Sequence, residues 1–402
     1  MSPLKQLFIL NAVCMTAMMS IIPVIGPIIR EVGLLEWHGG LVVAMSGIAW
    51  LLSAKKWGTI SDRIGRKPIL LISTLGYAIS FIVMTIWLDL SLKSTFNTFV
   101  ILAGMIVART MVGLFLAAIM PVSSAFVADI TTAEERQSAM ASIGAASAIG
   151  LVAGPALGGW LSQYSLTLPL YVLSILPIIA WVFIKLRLPE TKTSIESPDS
   201  TISLFDARLR LPALAMFACM FAVITSQIII GFFVLDRIRE TAEETAQLSG
   251  IVLTITGITL VITQGMLFKS KSNLLLKSCL IGPIATLIGL VIASFAHTAI
   301  FLIMGYIFMA IGLGVLFPAI QAITANSVGK DEQGAAAGTI SAVQGLSSIL
   351  VPIIATVLYQ SNQSFPFWFA GILMVVLFLL VLTNQTKFNS PDTSQTEQAD
   401  LN

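Results

Sequence analysis

The stretch Gly58-Thr-Ile-Ser-Asp-Arg-Ile-Gly-Arg-Lys-Pro68 places one acid, three bases, two glycines and one proline between two long apolar runs, 41–60 and 69–87. Gly65 permits a backbone conformation with positive φ, and Pro68 suits the first turn of the helix that follows. The stretch therefore predicts a tight polar turn between two membrane helices. Its bases belong on the cytoplasmic side of a bilayer.

The composition of the chain indicates a polytopic membrane protein. Of its 402 residues, 56% are hydrophobic and only 10% are charged, with a mean hydropathy of +0.94. Soluble domains carry about 25% charged residues. The net charge of +2 gives nucleic-acid binding no support. The three cysteines lie in separate apolar stretches and their spacing fits no metal site.

The chain offers twelve apolar segments, each close to the roughly 20 residues that cross about 30 Å of hydrocarbon. The expected fold class is an all-α membrane protein with twelve transmembrane helices in two six-helix bundles. The predicted segments are 8–29, 39–60, 69–88, 98–125, 138–162, 167–187, 211–235, 246–268, 274–295, 298–325, 335–358 and 365–384.

One long polar interruption, 188–210, divides the segments into two sets of six. We therefore expect an N-terminal bundle over 1–187, a cytoplasmic linker over 188–210 and a C-terminal bundle over 211–385. The polar stretch 386–402 is expected to be a disordered cytoplasmic tail. Two such halves are typical of parallel repeats that surround a binding site near the middle of the membrane.

The lysines and arginines predict the orientation. Seventeen of the 22 fall on the side of the Gly58–Pro68 turn, four fall on the other side, and Arg109 lies inside a segment. This bias places both termini in the cytoplasm.

The pattern Gly-x-x-x-Asp-Arg-x-Gly-Arg-Lys-Pro resembles the loop signature between the second and third helices of transporters of the major facilitator superfamily. The resemblance implies that this loop controls conformation, and we expect Asp62 to lie against the N-terminus of the eleventh helix. The alternative is that the charges are only a topology signal, which does not explain the acid or the glycine spacing. The loop residues concerned are Gly58, Asp62, Arg63, Gly65, Arg66 and Lys67.

The end of the fourth segment carries Asp129 and Arg136 beside a short cytoplasmic turn. Members of the family often carry a similar acid and a Glu-Arg pair here. By resemblance, Asp129 pairs with the bases of the loop, Arg66 first. The alternative is a solvated helix end, where exposed ion pairs contribute little.

Arg109 lies within the fourth segment, where burial of a charge costs at least about 2.5–3.5 kcal/mol. Gly113 follows four residues later, as in the family pattern, but Val112 replaces the usual Gln, so the match is partial. One interpretation places Arg109 and Gly113 beside the path of substrate and protons. The other makes Arg109 a structural residue bonded to backbone carbonyls.

The fifth segment contains Gly150-Leu-Val-Ala-Gly-Pro-Ala-Leu-Gly-Gly159, and small residues recur at every fourth position. Such a stripe permits close helix packing. We expect it to contact the eighth helix of the chain, which belongs to the other half. The string resembles the antiporter motif of exporters in the superfamily, and the alternative is generic helix packing. The motif residues are Gly150, Gly154, Pro155, Gly158 and Gly159.

The first segment contains Pro23 and Pro27, a spacing that resembles the two-proline pattern of twelve-helix drug:proton antiporters and that bends or breaks a helix. Many such exporters carry an acidic residue deep in this helix, whereas the first segment of this chain has none before Glu31. Proton coupling is therefore implied by the family rather than by these residues. The remaining polar candidates for the substrate and proton path are Gln227, Asp236, Gln264, Gln321 and Gln344.

The resemblance implies a monomeric inner-membrane exporter of a small organic molecule, either drug-like or an endogenous metabolite such as a siderophore, by proton antiport. One alternative is another kind of transporter, an uptake symporter for a small metabolite. A second alternative is a transporter-like membrane sensor that does not transport, and such a sensor would be expected to carry a soluble output domain. No phosphate-binding loop is present to support ATP drive. Two histidines and no nucleophile–base set argue against an enzyme. We expect no cofactor, no metal and no nucleic acid; the expected partners are substrate, protons and lipid.

Overall fold

A computed structural model describes residues 2–190, 206–269, 275–329 and 332–383 of the chain, and within these ranges the regular structure is entirely helical. The predicted tail 386–402 and most of the predicted linker, 191–205, lie outside the described residues. The helices are α1 (Pro3–Met19), α2 (Ile22–Glu31), α3 (Glu36–Ile64), α4 (Arg66–Lys93), α5 (Thr98–Ile130), α6 (Ala133–Ser162), α7 (Leu168–Arg187), α8 (Arg210–Arg237), α9 (Ala242–Lys269), α10 (Leu275–Ser294), α11 (Ala299–Asn326), α12 (Gln333–Ser361) and α13 (Phe365–Thr383).

Twelve stretches of the described chain are long and apolar enough to cross a membrane, as predicted. The first of them consists of two helices, because α1 ends at Met19 and α2 begins at Ile22. Pro23 lies in the first turn of α2, where a missing backbone N–H is tolerated, and Pro27 lies inside that helix. The predicted break is confirmed beside Pro23, whereas α2 continues through Pro27.

The turn that joins α3 to α4 has the predicted geometry. Gly65 has a φ of +108°, a value that L side chains rarely adopt, and its N–H donates to the carbonyl of Ser61 at 3.0 Å. Helix α4 begins at the next residue, so Pro68 lies in its first turn.

The spans form two six-helix bundles, α1–α7 and α8–α13. Each bundle has its own buried aromatic core, with Tyr77 and Phe126 in the first and Phe221 and Tyr306 in the second. The Tyr77 hydroxyl donates to the carbonyl of Cys14, which ties α4 to α1 at 3.2 Å. This bond satisfies polar groups that find no hydrogen-bonding partner in the hydrocarbon of the membrane.

Contacts between the bundles run mainly through α2, α3 and α6 on one side and α8, α9 and α12 on the other. They concentrate at the end of the molecule that carries Arg30, which we call the far end. A methyl group on Gly26 of α2 would lie 2.9 Å from the Cα of Gly231 of α8. One on Gly40 of α3 would lie 2.5 Å from the carbonyl oxygen of Pro352 of α12. The backbones of the two bundles thus touch at the far end.

The opposite end carries the Gly58–Pro68 turn, and we call it the basic end. The interbundle helices that touch at the far end have separated here. A methyl group added to Gly58 of α3, Gly144 of α6, Gly265 of α9 or Gly338 of α12 would have no neighbour within 4 Å in the part of the chain that the structure describes. The structure is therefore closed at the far end and open at the basic end.

Candidate functional site

A cavity of about 170 Å³ lies between the bundles, beneath the far-end contacts. Its wall is almost wholly apolar, and the polar groups on it are Arg109, Gln227 and Ser348. The apolar lining side chains are Met18, Met19, Ile21, Ile22, Ile25, Val42, Val43, Met84, Leu88, Met105, Ile224 and Ile228. An apolar pocket with a few convergent polar groups is the usual form of a small-molecule site.

Arg109 of α5 is the charged residue of this cavity. Only 5% of the residue is exposed, and its Nη1 donates to the thioether sulfur of Met18 at 3.3 Å. Over the described residues, no carboxylate forms an ion pair with Arg109. A thioether is a weak acceptor, so the guanidinium charge is left largely uncompensated.

Of the residues predicted for the substrate and proton path, Arg109 and Gln227 line the cavity. Gly113 instead permits close packing of α5 on α3, because a methyl group there would lie 2.4 Å from the Ser46 carbonyl oxygen. Asp236 lies at the far end. The remaining amides are away from the lining: Gln264, Gln321, and Gln344, whose Nε2 lies 3.4 Å from the Met216 sulfur.

Asp236 belongs to an ionic cluster that joins the bundles at the far end. Arg30 of α2 donates to Asp236 of α8 at 3.0 Å and also pairs with Glu36 of α3. The Tyr359 hydroxyl of α12 donates to Asp236 at 2.7 Å, and the Gln360 amide donates to Glu36 at 3.2 Å. Two carboxylates thus share one guanidinium across the bundle interface.

Sequence reasoning missed the partners in this cluster. In the sequence, Arg30 is one of the four basic residues on the side opposite the Gly58–Pro68 turn, and Glu36 belongs to no motif. Both stand at the ends of predicted segments, a position that marks them as interfacial. Asp236 is about 200 residues away along the chain, and nothing in the sequence states that it meets Arg30.

At the basic end, the ion pairs stay inside single bundles. Arg66 is 8% exposed; its Nε donates to Asp129 at 2.9 Å and its Nη1 to the Ser61 hydroxyl at 2.7 Å. The predicted pair with Asp129 is therefore present. Arg66 also pairs with Asp62, four residues before it. Arg136 donates to the backbone carbonyl of Ala128 at 3.3 Å.

The expectation that Asp62 lies against the N-terminus of α12 is wrong for this structure. Asp62 pairs with Arg66 of its own bundle. Gly334 and Gly338, in the first turns of α12, have nothing within 4 Å of an added methyl group. The physical reason is the separation of α3 from α12 at the basic end.

The glycine stripe of α6 also packs differently from the prediction. Methyl groups added to Gly150 and Gly154 would lie 2.4 Å from the Cβ atoms of Met15 and Met19, on α1 of the same bundle. Gly158 meets the Ser20 carbonyl oxygen in the same way, at 2.5 Å. The predicted contact of this stripe with the eighth span, α9, is therefore wrong.

The next residue of the motif makes the contact with the other bundle. A methyl group on Gly159 would lie 2.7 Å from the Cα of Gly250 in α9, and one on Gly250 would lie 2.6 Å from the Pro155 carbonyl oxygen. Helix α6 is therefore packed closely on both sides, against α1 through one glycine face and against α9 through the adjacent face. A spacing of four residues selects a face but does not name its partner.

Near the linker, Arg208 bridges Asp206 at 2.9 Å and Glu332 at 2.8 Å. These groups lie outside the membrane-spanning helices. Hydrogen bonds from Arg208 lower the pKa of Asp206 and that of Glu332 below the ordinary carboxyl values, and the two acids raise the pKa of Arg208. The cluster connects the residues that precede α8 with those that precede α12.

The family model described as Major Facilitator Superfamily matches residues 7–300 and 276–401 of the chain. The chain belongs to the Major Facilitator Superfamily. It is accordingly a multi-pass membrane transporter and not an enzyme.

Similar proteins include multidrug resistance protein 2 of Bacillus subtilis, 28% identical over 387 residues with 92% of each chain covered. The class C tetracycline resistance protein of Escherichia coli is 27% identical over 377 residues, covering 90% of this chain and 91% of that protein. Among solved structures, a bacterial homologue of the human lysosomal transporter Spinster, in an inward-facing and occupied conformation, superposes with a TM-score of 0.75 at 13% identity. That match covers 97% of this chain and 98% of the other, and it shows the shared fold.

Proposed function

We propose that this transporter exports a small organic molecule, drug-like or an endogenous metabolite, by proton antiport with alternating access. The similar proteins from Bacillus subtilis and Escherichia coli are named for resistance to multiple drugs and to tetracycline. The antiporter-like motif on α6 supports the same direction.

The observation that carries the proposal is the contrast between the two ends around one cavity. The far end is sealed by backbone contacts and by the Arg30 cluster, whereas the interbundle helices stand apart at the basic end. The excess of lysine and arginine supports a cytoplasmic basic end. In this state a substrate reaches the cavity from the cytoplasm, and rocking of the bundles would then deliver it outside.

The groups at the basic end would control that rocking. Arg66 holds Asp62 and Asp129 inside the first bundle while the basic end is open. On closure, Asp62 would become available to the N-terminus of α12, where the helix dipole favours an acid. Gly58, Arg63, Gly65, Lys67 and Arg136 would shape and orient the same loop. The predicted bundle and linker boundaries, a monomeric state and an inner-membrane location with cytoplasmic termini belong to this proposal.

Protons would act at the far end. Asp236 and Glu36 are the carboxylates that close the cavity on that side, and each needs its negative charge to hold Arg30. Protonation of either one weakens the cluster and favours opening toward the outside. A carboxylate protonated from the outside would therefore favour the state that releases substrate. Its proton would leave through the cavity to the cytoplasm when the Arg30 pairs re-form, which completes the antiport.

The experiment is transport in inverted membrane vesicles with and without an imposed proton gradient. A panel of lipophilic cations, chloramphenicol-like compounds, siderophores and organic acids covers the proposed substrates. We expect gradient-dependent accumulation of at least one class in vesicles that contain the protein. Accumulation only in the opposite direction, in right-side-out vesicles, would make it an uptake transporter.

Asp236→Asn tests the proposed role of the far-end cluster. We expect severalfold slower export at neutral pH and a flatter pH dependence, because the amide mimics a protonated carboxylate and no longer pairs with Arg30. Asp89→Asn is the matched control. Asp89 pairs with Lys93 at 2.7 Å and accepts from Thr167 at 3.0 Å, all within the first bundle. An unchanged pH profile in Asp236→Asn would exclude this residue from proton coupling.

A further inference from the structure

We propose that the cavity selects organic anions: amphiphilic molecules whose anionic group, such as a carboxylate, binds Arg109 while a compact apolar body fills the remaining volume. This inference rests on the proposed function in one respect, namely that the cavity is the transport site. It differs from that function because it specifies the charge of the substrate, which neither the fold nor the family membership does.

The first support is the state of Arg109. It is 95% buried, and among the described residues its guanidinium makes one polar contact, with the Met18 thioether 3.3 Å away. Burial of an unpaired cation is costly, and the cost is recovered when an anion supplies a counter-charge. A guanidinium also offers a planar fork of donors that fits a carboxylate through two parallel hydrogen bonds.

The second support is that the neighbouring charged and titratable groups are already engaged. The hydroxyl of Tyr77, beside Arg109, donates to the carbonyl of Cys14. Glu36 and Asp236 hold Arg30 at the far end. Within the described part of the chain, no internal carboxylate is directed at Arg109, so a ligand can take that position.

The third support is the rest of the lining. Gln227 of α8 and Ser348 of α12 are the polar groups contributed by the second bundle, and aliphatic and methionine side chains make up the remainder. No aspartate or glutamate of the described ranges lines this cavity. A lipophilic cation would therefore find a like charge and no counter-charge, whereas an anion bound at Arg109 could extend its apolar body toward α8 and α12.

The test uses three probes with one apolar body and different charges: 2-naphthoate, neutral 2-naphthamide and cationic 2-naphthylmethylamine. Binding to the purified full-length protein is measured by titration calorimetry at neutral pH. We expect 2-naphthoate to bind roughly tenfold more tightly than the amide, and the amine to bind most weakly, as for other hydrogen bonds to a charged group. Equal affinities, or a preference for the amine, would overturn the proposal.

Variants locate the selectivity. Arg109→Met keeps a long apolar side chain and should abolish the preference for 2-naphthoate over 2-naphthamide, while Arg109→Lys should keep part of it. Arg187→Gln, at the exposed end of α7, removes one positive charge outside the cavity and should leave the preference intact. Retained binding of 2-naphthamide shows that Arg109→Met is folded. Retained anion preference in that variant would contradict the proposal.

This measurement separates the inference from the proposed function. Equilibrium binding requires neither a proton gradient nor a direction of transport. If the parent protein showed no preference for the anion, the proposed export of neutral or cationic compounds would be unaffected. Conversely, tight naphthoate binding with no gradient-dependent export would support the anion site and refute proton antiport.

Discussion

The two ends of the molecule use the same helices in opposite ways. At the far end, α2, α3 and α6 touch α8, α12 and α9 through glycines whose backbones are in contact, and the Arg30–Asp236 ion pair crosses from one bundle to the other. At the basic end, glycines on α3, α6, α9 and α12 face open space. There the ion pairs of Arg66 stay inside one bundle.

This difference shows which contacts stabilise the closed far end. Interbundle charges pair only where the backbones approach, because a partly exposed ion pair contributes little unless packing excludes water around it. Charges at the open end find partners in their own bundle instead. A conformational change that opens the far end and closes the basic end would therefore exchange one set of ion pairs for another, rather than simply break ion pairs.

The largest effect should come from a side chain that forces the far end open. Gly159→Leu would place bulk where even a methyl group lies 2.7 Å from the Gly250 Cα, so α6 and α9 could not close. We expect export in vesicles to fall by roughly tenfold or more. Gly144→Leu, on the same helix at the open end, is the control with the smaller effect, since no neighbour lies within 4 Å. Equal export by both variants would contradict the contrast between the ends.

A smaller effect should come from the intrabundle pairs of the basic end. Arg66→Ala removes the partner of Asp62 and Asp129, whose side chains are 35% and 19% exposed. We expect the first bundle to lose about 2 kcal/mol of stability, below the cost for a fully buried pair because both acids are partly wet. Thermal unfolding of the purified protein measures this loss.

Arg63→Ala is the matched control in the same loop, and it should unfold at nearly the parental temperature. A drop as large for Arg63→Ala as for Arg66→Ala would mean that the total charge of the loop matters more than the pairs of Arg66.

The smallest effect concerns the exposed cluster of Asp206, Arg208 and Glu332. A carboxyl group whose pKa is lowered in the folded state stabilises the fold at pH values above its ordinary pKa, which is 4.5 for Glu332. This stabilisation is lost as the pH falls through the lowered pKa. We expect the protection of the amides at 206–209, measured relative to their intrinsic exchange rate at each pH, to fall on acidification below that value. Arg208→Gln should exchange quickly already at neutral pH. A parent protein whose exchange in this segment matches that of Arg208→Gln at neutral pH would show that the cluster does not order it.

Much of the fold could be predicted from local sequence. Hydropathy alone located the twelve spans, because an apolar segment of this length has few other stable environments. Pro23 marked the break between α1 and α2, and Gly65 marked the turn with positive φ. In each case the signal and the structure lie within a few residues of each other.

The tertiary partners could not be predicted in the same way. Gly154 predicts a close helix contact, but the sequence does not distinguish α1 from α9 as its partner. Gly159, five residues further along, faces the other bundle. Asp62 pairs with Arg66 of its own bundle, and the local sequence does not state that α12 lies apart from α3 at the basic end. Arg109 was identified because an intramembrane charge is costly wherever it lies, whereas Gln264 and Gln321 carry no comparable signal.

The most direct test of the account measures one helix pair at both ends. Spin labels on Leu35→Cys and Asn362→Cys report the far ends of α3 and α12, and labels on Lys56→Cys and Gly338→Cys report their basic ends, in protein whose buried native cysteines are replaced. At neutral pH, pulsed electron paramagnetic resonance should give a short far-end and a long basic-end distance. In Asp236→Asn, whose amide no longer pairs with Arg30, the far-end distance should lengthen as the basic-end distance shortens, in the same fraction of molecules. Distances that change at one end alone, or that lengthen together at both, would contradict alternating access.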